Sequence, residues 1–416
     1  MNDWDILIFV TLSIVNKMNN RCFVFVLQAF LLLLFSSCGK GGKETASSDS
    51  PIVVDLTDLK ETNTPLKLSQ FAESISYIRL SEDPLIGDIQ QSPIRIIKDT
   101  FYLDSDNVYK YAPDGKFIKK LFKEGDGPGE ARKYNFTRSA FNKKDRYFTF
   151  RSIALSFMSY SFDGEFLGKE DSAYVEGLGR KHIKDYFNDY QLYEYQLLGT
   201  AKKGKINLIG PHLFYAKHTQ TGSIIYPYPN PAADEQAVDR HIGASLHPGD
   251  MQYMQIDSLL WVKHVAIDTL YATSGLQTFQ PRYIFKTSNS FMDIRTYTHY
   301  KSVDMTREEA ENKKIIYSVL PLPNGGLLYT TWEKTGFADS SGKTFGFSAK
   351  PIVNDLDTHL KTIDLGKILG GQTFSIDNGH LYMLAEGYRF FEDGCNPPFP
   401  NMTEESNPVI VKIKLK

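Results

Sequence analysis

The chain has 416 residues, with 47 Lys plus Arg against 49 Asp plus Glu and a formal net charge of −2. So even a balance argues against a nucleic-acid partner, which usually requires a concentrated basic surface. Aromatic residues reach 13%, with 28 Phe and 24 Tyr, a richness that suits strands, where flat rings pack on a pleated surface.

Phe23–Phe35 is an apolar run of 13 residues interrupted only by Gln28. It is too short to span a bilayer, which needs about 20 residues. Lys17 and Arg21 precede it and Ser36-Ser37-Cys38-Gly39 follows, so residues 1–37 read as a secretory signal peptide. The Cys directly after the small pair resembles the end of a bacterial lipoprotein signal. That resemblance implies that Cys38 becomes the lipid-modified N-terminus. Asp3 and Asp5 stand where a signal should be positive, which sets the expectation that translation starts at Met18. With Cys22 cleaved off and Cys38 lipidated, Cys395 has no disulfide partner, and stability must come from the core. Residues 38–50 are small, polar and aperiodic and read as a flexible tether; residues 51–416 read as the folded domain.

Strand character begins at Ile52–Leu56. Residues 101–130 then set the pattern of the domain: Phe101–Leu103, Val108–Ala112 and Phe117–Phe122 are short apolar segments separated by turns. Pro113 suits position i+1 of a type I turn and Gly115 position i+3. This is an antiparallel meander, and one meander cannot bury its own faces. The turn Pro113-Asp114-Gly115-Lys116 recurs as Phe162-Asp163-Gly164-Glu165, each between a Tyr-bearing strand and an aromatic-aliphatic pair. Looser copies follow: Leu213–Lys217 with Ile224–Tyr226; Leu259–Val265 with Thr269–Ala272 and Tyr283–Lys286; Gly326–Trp332 with Lys350–Val353 and Leu360–Leu365; and Gly379–Ala385 with Pro408–Leu415. Six copies of four-stranded size predict an all-β, six-bladed β-propeller of four-stranded antiparallel blades. Residues 185–198 fit strand or helix equally. Thr306-Arg307-Glu308-Glu309 is a capping box and predicts a short surface helix to about Lys314. Pro408–Lys416 alternates apolar and Lys residues as a strand, and Ile52–Leu56 is its expected partner in closing the ring.

Gly125-Asp126-Gly127-Pro128-Gly129-Glu130, with residues 94–121 before it, resembles the six-bladed β-propeller lipoproteins common in Bacteroides-type bacteria, distant relatives of NHL-repeat propellers. The likeness is strongest over residues 75–170. It implies a propeller held to a membrane by lipid, and it brings no reaction with it. The glycine loop lacks the Gly-Lys-Ser/Thr of a phosphate-binding loop and opens no helix; its glycines read as turn formers.

The sequence contains no G-x-S-x-G, H-E-x-x-H or C-x-x-C. His241 and His247 lack metal-binding spacing. Asp104-Ser105-Asp106-Asn107 concentrates oxygen ligands of the kind calcium takes, against a plainer reading as a turn. Asp104 and Asp106 are candidates for a polar rim at the channel mouth. The insertion Glu386–Asn407 carries Tyr388, Arg389 and Phe391 beside Pro-stiffened backbone, a preorganised contact surface or a cover for the edge of the last blade; Trp332 is a candidate for the same surface. Two function classes follow. One is a membrane-anchored binding or scaffolding propeller of the cell envelope, periplasm-facing, holding a glycan or an envelope protein. The other is a metal-dependent lyase or hydrolase working in the central channel. The repeats show no recurring His or Asp pairs at equivalent positions, which favours binding, with no cofactor beyond the calcium alternative.

Overall fold

In a computed structural model the described residues are 50–86, 93–133, 138–154, 156–171, 174–175, 179–180, 183–194, 212–229, 251–265, 267–288, 316–331, 334–371 and 373–416. The signal, Cys38, His241, His247, the capping box at Thr306 and Trp332 therefore lie outside them. Residues 51–416 form one unit, and among the described residues no helix is long and apolar enough to cross a membrane.

Two strands precede the blades, β1 (Ile52–Asp55) and β2 (Ala72–Arg79). Blade 1 is β3 (Ile94–Ile97), β4 (Thr100–Asp104), β5 (Val108–Tyr111) and β6 (Phe117–Lys120). Blade 2 is β7 (Ala140–Asn142), β8 (Tyr147–Arg151), β9 (Ser156–Ser161) and β10 (Phe166–Asp171). A small ribbon, β11 (Tyr174–Val175) with β12 (Gly179–Arg180), follows. Blade 3 is β13 (Ile183–Phe187), β14 (Tyr190–Glu194), β15 (His212–His218) and β16 (Ile224–Pro229). Blade 4 is β17 (Met251–Ile256), β18 (Leu259–His264), β19 (Thr269–Thr273) and β20 (Gln280–Lys286). Blade 5 is β21 (Ser318–Pro321), β22 (Leu327–Thr330), β23 (Thr335–Ala338) and β24 (Thr344–Ser348). A second ribbon, β25 (Ile352–Val353) with β26 (Thr362–Ile363), and a short helix α1 (Leu365–Gly371) come next. Blade 6 takes β27 (Ser375–Asp377), β28 (His380–Ala385) and β29 (Val409–Leu415) from the end of the chain and β2 from its beginning. This is the expected six-bladed propeller, and the ambiguous stretch from residue 185 is, as far as Glu194, two antiparallel strands joined by a turn at Asn188-Asp189.

Two expectations are corrected. The strand that closes the ring on β29 is β2, not Ile52–Leu56: Tyr77 lies opposite Val411 and Arg79 opposite Val409 in an antiparallel ladder. β1 instead adds a parallel fifth strand to the outer edge of blade 4, with Val54 opposite Phe285 and fully buried. The segment between them runs past blade 5, where the Thr62 N–H donates to Phe347 O at 2.9 Å. Residues 51–79 thus strap three blades together. In blade 5, Lys350–Val353 and Leu360–Leu365 were expected as blade strands. They form the second ribbon and lead into α1, and the outer strands are the glycine-bearing Thr335–Ala338 and Thr344–Ser348. Glycine is required there by packing: a Cβ on Gly336 would lie 2.3 Å from the Tyr329 ring, and one on Gly346 2.5 Å from Leu66.

The apolar core lies between blades rather than at the axis. Tyr102, Phe122 and Leu121 of blade 1 meet Phe148, Phe150 and Tyr160 of blade 2; the Phe122 and Phe150 rings stack at 4.6 Å. Phe214 and Leu192 meet Leu260 and Val262 between blades 3 and 4. Ile94 and Tyr109 meet Tyr382 and Ile410 between blades 1 and 6. Offset and edge-to-face ring pairs fill such wedges well, which is where the aromatic richness goes.

The recurring Asp-Gly turn has a second duty. Ala112 N–H donates to Lys116 O and Gly115 N–H to Ala112 O, both at 2.9 Å, with Gly115 at φ +82°. The turns at Gly164 and Gly342 repeat the pattern. Each glycine abuts the outer part of the preceding blade: a Cβ would lie 2.0 Å from Arg79 O at Gly115, 2.9 Å from Leu121 O at Gly164 and 2.0 Å from Val53 O at Gly342. Left-handed backbone costs a non-glycine residue about 1–2 kcal/mol, and the backbone clash adds to it. Gly115→Ala is expected to lower stability by about 2 kcal/mol or more, read as a shifted denaturant midpoint. An unchanged midpoint would mean that the blade 6–blade 1 junction does not depend on this close approach.

Candidate functional site

The connections between the second and third strands of blades open on one face of a propeller ring. In blade 1 that connection is Ser105–Asn107, and in blade 6 it is the insertion from Glu386 to Pro408. The two blades are neighbours across the closure.

Asp104 ends β4 and is 2% exposed. Its carboxylate accepts from Lys133 Nζ at 2.6 Å, from the Ser139 N–H at 2.6 Å and from Ser139 Oγ at 2.7 Å. Lys133 is itself buried and also donates to Ser105 O at 2.7 Å. Asp104 is therefore a buried strut between blade 1 and the segment entering blade 2, and the cation it faces is an ammonium. Asn107 completes the turn by donating to Phe122 O at 2.9 Å. Asp106 is exposed and accepts from Tyr109 Oη at 3.0 Å. Of the two rim candidates, only Asp106 is open to a ligand.

The glycine loop fills its own anion site. Glu130 Oε2 accepts from the Gly127 N–H at 3.2 Å and Oε1 from Lys123 Nζ at 2.5 Å. A Cβ on Gly125 would sit 2.0 Å from Glu130 Oε2. Glycine at this position makes room for the chain's own carboxylate.

The blade 6 insertion is fastened at many points. Asn407 donates through Nδ2 to Ser81 O at 2.6 Å and Pro84 O at 2.8 Å. Arg79 reaches Pro400 O at 2.9 Å. The Asn396 N–H donates to Thr358 O at 3.1 Å. Gly387–Phe391 is a 3-10 turn whose Phe390 is fully buried, edge-on to Tyr77 at 5.6 Å. Arg389 is also a fastener, donating through Nη2 to Thr362 O at 2.8 Å. The neighbouring Tyr388 and Phe391 stay 50% and 37% exposed. A hydrogen bond to Glu386 holds the Tyr388 phenol above its usual pKa. Within this turn Phe390 covers the blade, as the plainer reading expects, while Tyr388 and Phe391 face solvent.

None of the charged residues that line the axis was a candidate from the sequence. A cavity of about 50 Å³ in the central channel is lined by Arg95, Lys143, Asp185, Tyr253, Gln255 and Ser375, among others, drawn from five blades. Arg95 Nη1 donates to Phe374 O at 3.2 Å. The Lys143 side chain is exposed at the edge of this cavity. Lost hydration lowers its pKa, with Asp185 pulling the other way and Arg95 adding to the depression. Burial, then Arg95, takes Arg138 down to about 10, still a cation at neutral pH. Arg95, Lys143 and Asp185 belong to three different blades, and only ring closure brings them together. Among the described residues no group of three or more His, Cys, Asp or Glu is placed to hold a metal ion.

Lys263 was equally invisible. It is 1% exposed, its ammonium donates to the carbonyls of His264 and Ile267, and burial pushes it down to about 7 despite Asp268. An unfolded Lys titrates near 10.4. Between those values the unfolded chain holds a proton that the folded chain lacks, so stability rises with pH, by up to about 1.4 kcal/mol per unit. Lys263→Met is expected to be the more stable protein at pH 7 and to lose that rise between pH 7 and 9, measured by urea unfolding. Parallel pH profiles for the two proteins would contradict it.

Comparison with known proteins agrees with the fold. An exported protein of Bacteroides fragilis matches with a TM-score of 0.55 at 13% identity, over 88% of this chain and 100% of that one. A member of the DUF4221 family from Bacteroides vulgatus matches with a TM-score of 0.47 at 12% identity, over 83% and 97%. A search of curated proteins returned no match. The family model described as domain of unknown function DUF4934 matches residues 51–414, nearly the whole propeller, and the chain belongs to that family.

Proposed function

We propose that the protein is a membrane-anchored binding propeller of the cell envelope. Lipid on Cys38 holds it, residues 38–50 tether it, and it faces the periplasm. The face bearing the blade 6 insertion contacts a glycan or an envelope protein, with Asp106 and Trp332 as further candidates for that surface. The observation that carries this reading is the contrast within one five-residue turn. Phe390 is buried and Arg389 is bonded to a neighbouring segment, so the backbone is fixed, yet Tyr388 and Phe391 remain exposed. Aromatic rings on a pre-ordered backbone bind at a low entropic cost. The exported relative from Bacteroides fragilis supports the envelope location.

The test is Tyr388→Ser with Phe391→Ser in the full chain, assayed on immobilised polysaccharides and envelope extracts. Exposed substitutions of this kind change stability by about 0.5 kcal/mol or less, so the melting curve stays put. Binding is expected to weaken at least about tenfold, the effect of losing a contact worth some 1.4 kcal/mol. Undiminished binding by the double variant would exclude this face.

A further inference from the structure

The channel cavity is lined by two cations, Arg95 and Lys143, and one carboxylate, Asp185. Among the described residues, neither Arg95 nor Lys143 forms an ion pair. Asp185 and Asp377 act on Lys143 through space, while Arg95 opposes it. The Asp185 carboxylate accepts from its neighbour, the Tyr186 N–H, at 2.9 Å. Lys143 is exposed and Arg95 half-buried beside one small cavity. The two cations outnumber the one carboxylate there, and an anion joining them would gain charge-assisted hydrogen bonds from both.

Size narrows the choice. One water takes about 10–15 Å³ of such space, so 50 Å³ holds a few waters or one oxyanion group. A sugar ring does not fit. Hydroxyl and amide groups at Tyr253, Gln255 and Ser375 line the remaining wall. We propose that the central channel binds a single carboxylate or sulfate group between Lys143 and Arg95, either as a free small anion or as the acidic substituent of a sugar whose ring stays outside the cavity. This site is independent of the aromatic face, and its failure would leave that reading untouched.

The experiment is a thermal-shift and calorimetric titration of the full chain with sulfate, galacturonate and galactose at constant ionic strength. Sulfate stabilises proteins generally, so the decisive comparison is with Lys143→Gln, whose own melting temperature should stay within a few degrees. Wild-type protein is expected to bind an anion and not galactose. Lys143→Gln should weaken that binding about tenfold or more, and Lys143→Arg should retain it. Binding of both anions identifies a free oxyanion site; binding of galacturonate alone identifies an acidic sugar. Equal responses in wild type and Lys143→Gln, a matching response to galactose, or no anion binding at all would overturn the proposal.

Discussion

The pairing of β2 with β29 is the constraint on which the rest depends. A propeller blade is a small sheet with open edges, and neither one blade nor an open row of blades can bury its faces. Seven residues of the last strand find partners on β2, which follows the tether by some 20 residues. The lysines of β29 alternate outward along this ladder, and Lys414 meets Glu73 across it at 2.5 Å. On the other side β28 pairs with the same strand over six residues. The last strand is therefore interior to a sheet although it ends the chain. The strap between β1 and β2 spreads the junction across blades 4, 5 and 6, and its Leu66 and Leu68 lie in the largest apolar cluster.

Once the ring is closed, the wedge between neighbouring blades must be filled and the axis left polar. Aromatic side chains fill the wedges. Outer turns dock on the preceding blade at glycines, where carbonyl oxygens leave no room for a Cβ. Buried charge is placed in the same junctions: Lys133 and Asp104 tie blade 2's entry to blade 1. Removing one partner of a buried pair costs about 3–5 kcal/mol because the other charge is left buried and uncompensated, so neither Lys133 nor Asp104 can be replaced alone without loosening this junction. The glycine loop that gave the family resemblance follows the same logic, since its Gly127 N–H and Lys123 receive the chain's own Glu130.

Local signals were legible and long-range ones were not. Asp114-Gly115 and Asp163-Gly164 announced their hairpins because backbone conformation is written in those two residues. The Val409–Leu415 strand was plain from its alternation. β1 was misassigned because Ile-Val-Val-Asp fits either edge, and a parallel partner 231 residues away at Lys286 leaves no local trace. β23 and β24 were missed because Gly336 and Gly346 lower strand propensity, for packing reasons that appear only beside Tyr329 and Leu66. Asp104 looked like a rim carboxylate because its partners, Lys133 and Ser139, lie 29 and 35 residues on. Lys143, Arg95 and Asp185 gave no signal, since each is an ordinary charged residue until three blades converge.

The same closure positions both surfaces proposed for binding. The insertion is fastened to Arg79 and Ser81, at the end of the closing strand, and the channel exists only inside a complete ring. Disulfide cross-linking tests closure most directly. Ser76 lies opposite Lys412 in the ladder, so in a background lacking the native cysteines, Ser76→Cys with Lys412→Cys should form an intramolecular disulfide and raise the melting temperature, while Val53→Cys with Lys412→Cys should form none. Cross-linking of the Val53 pair instead would put β1 on the last strand and contradict this account of how the ring is held.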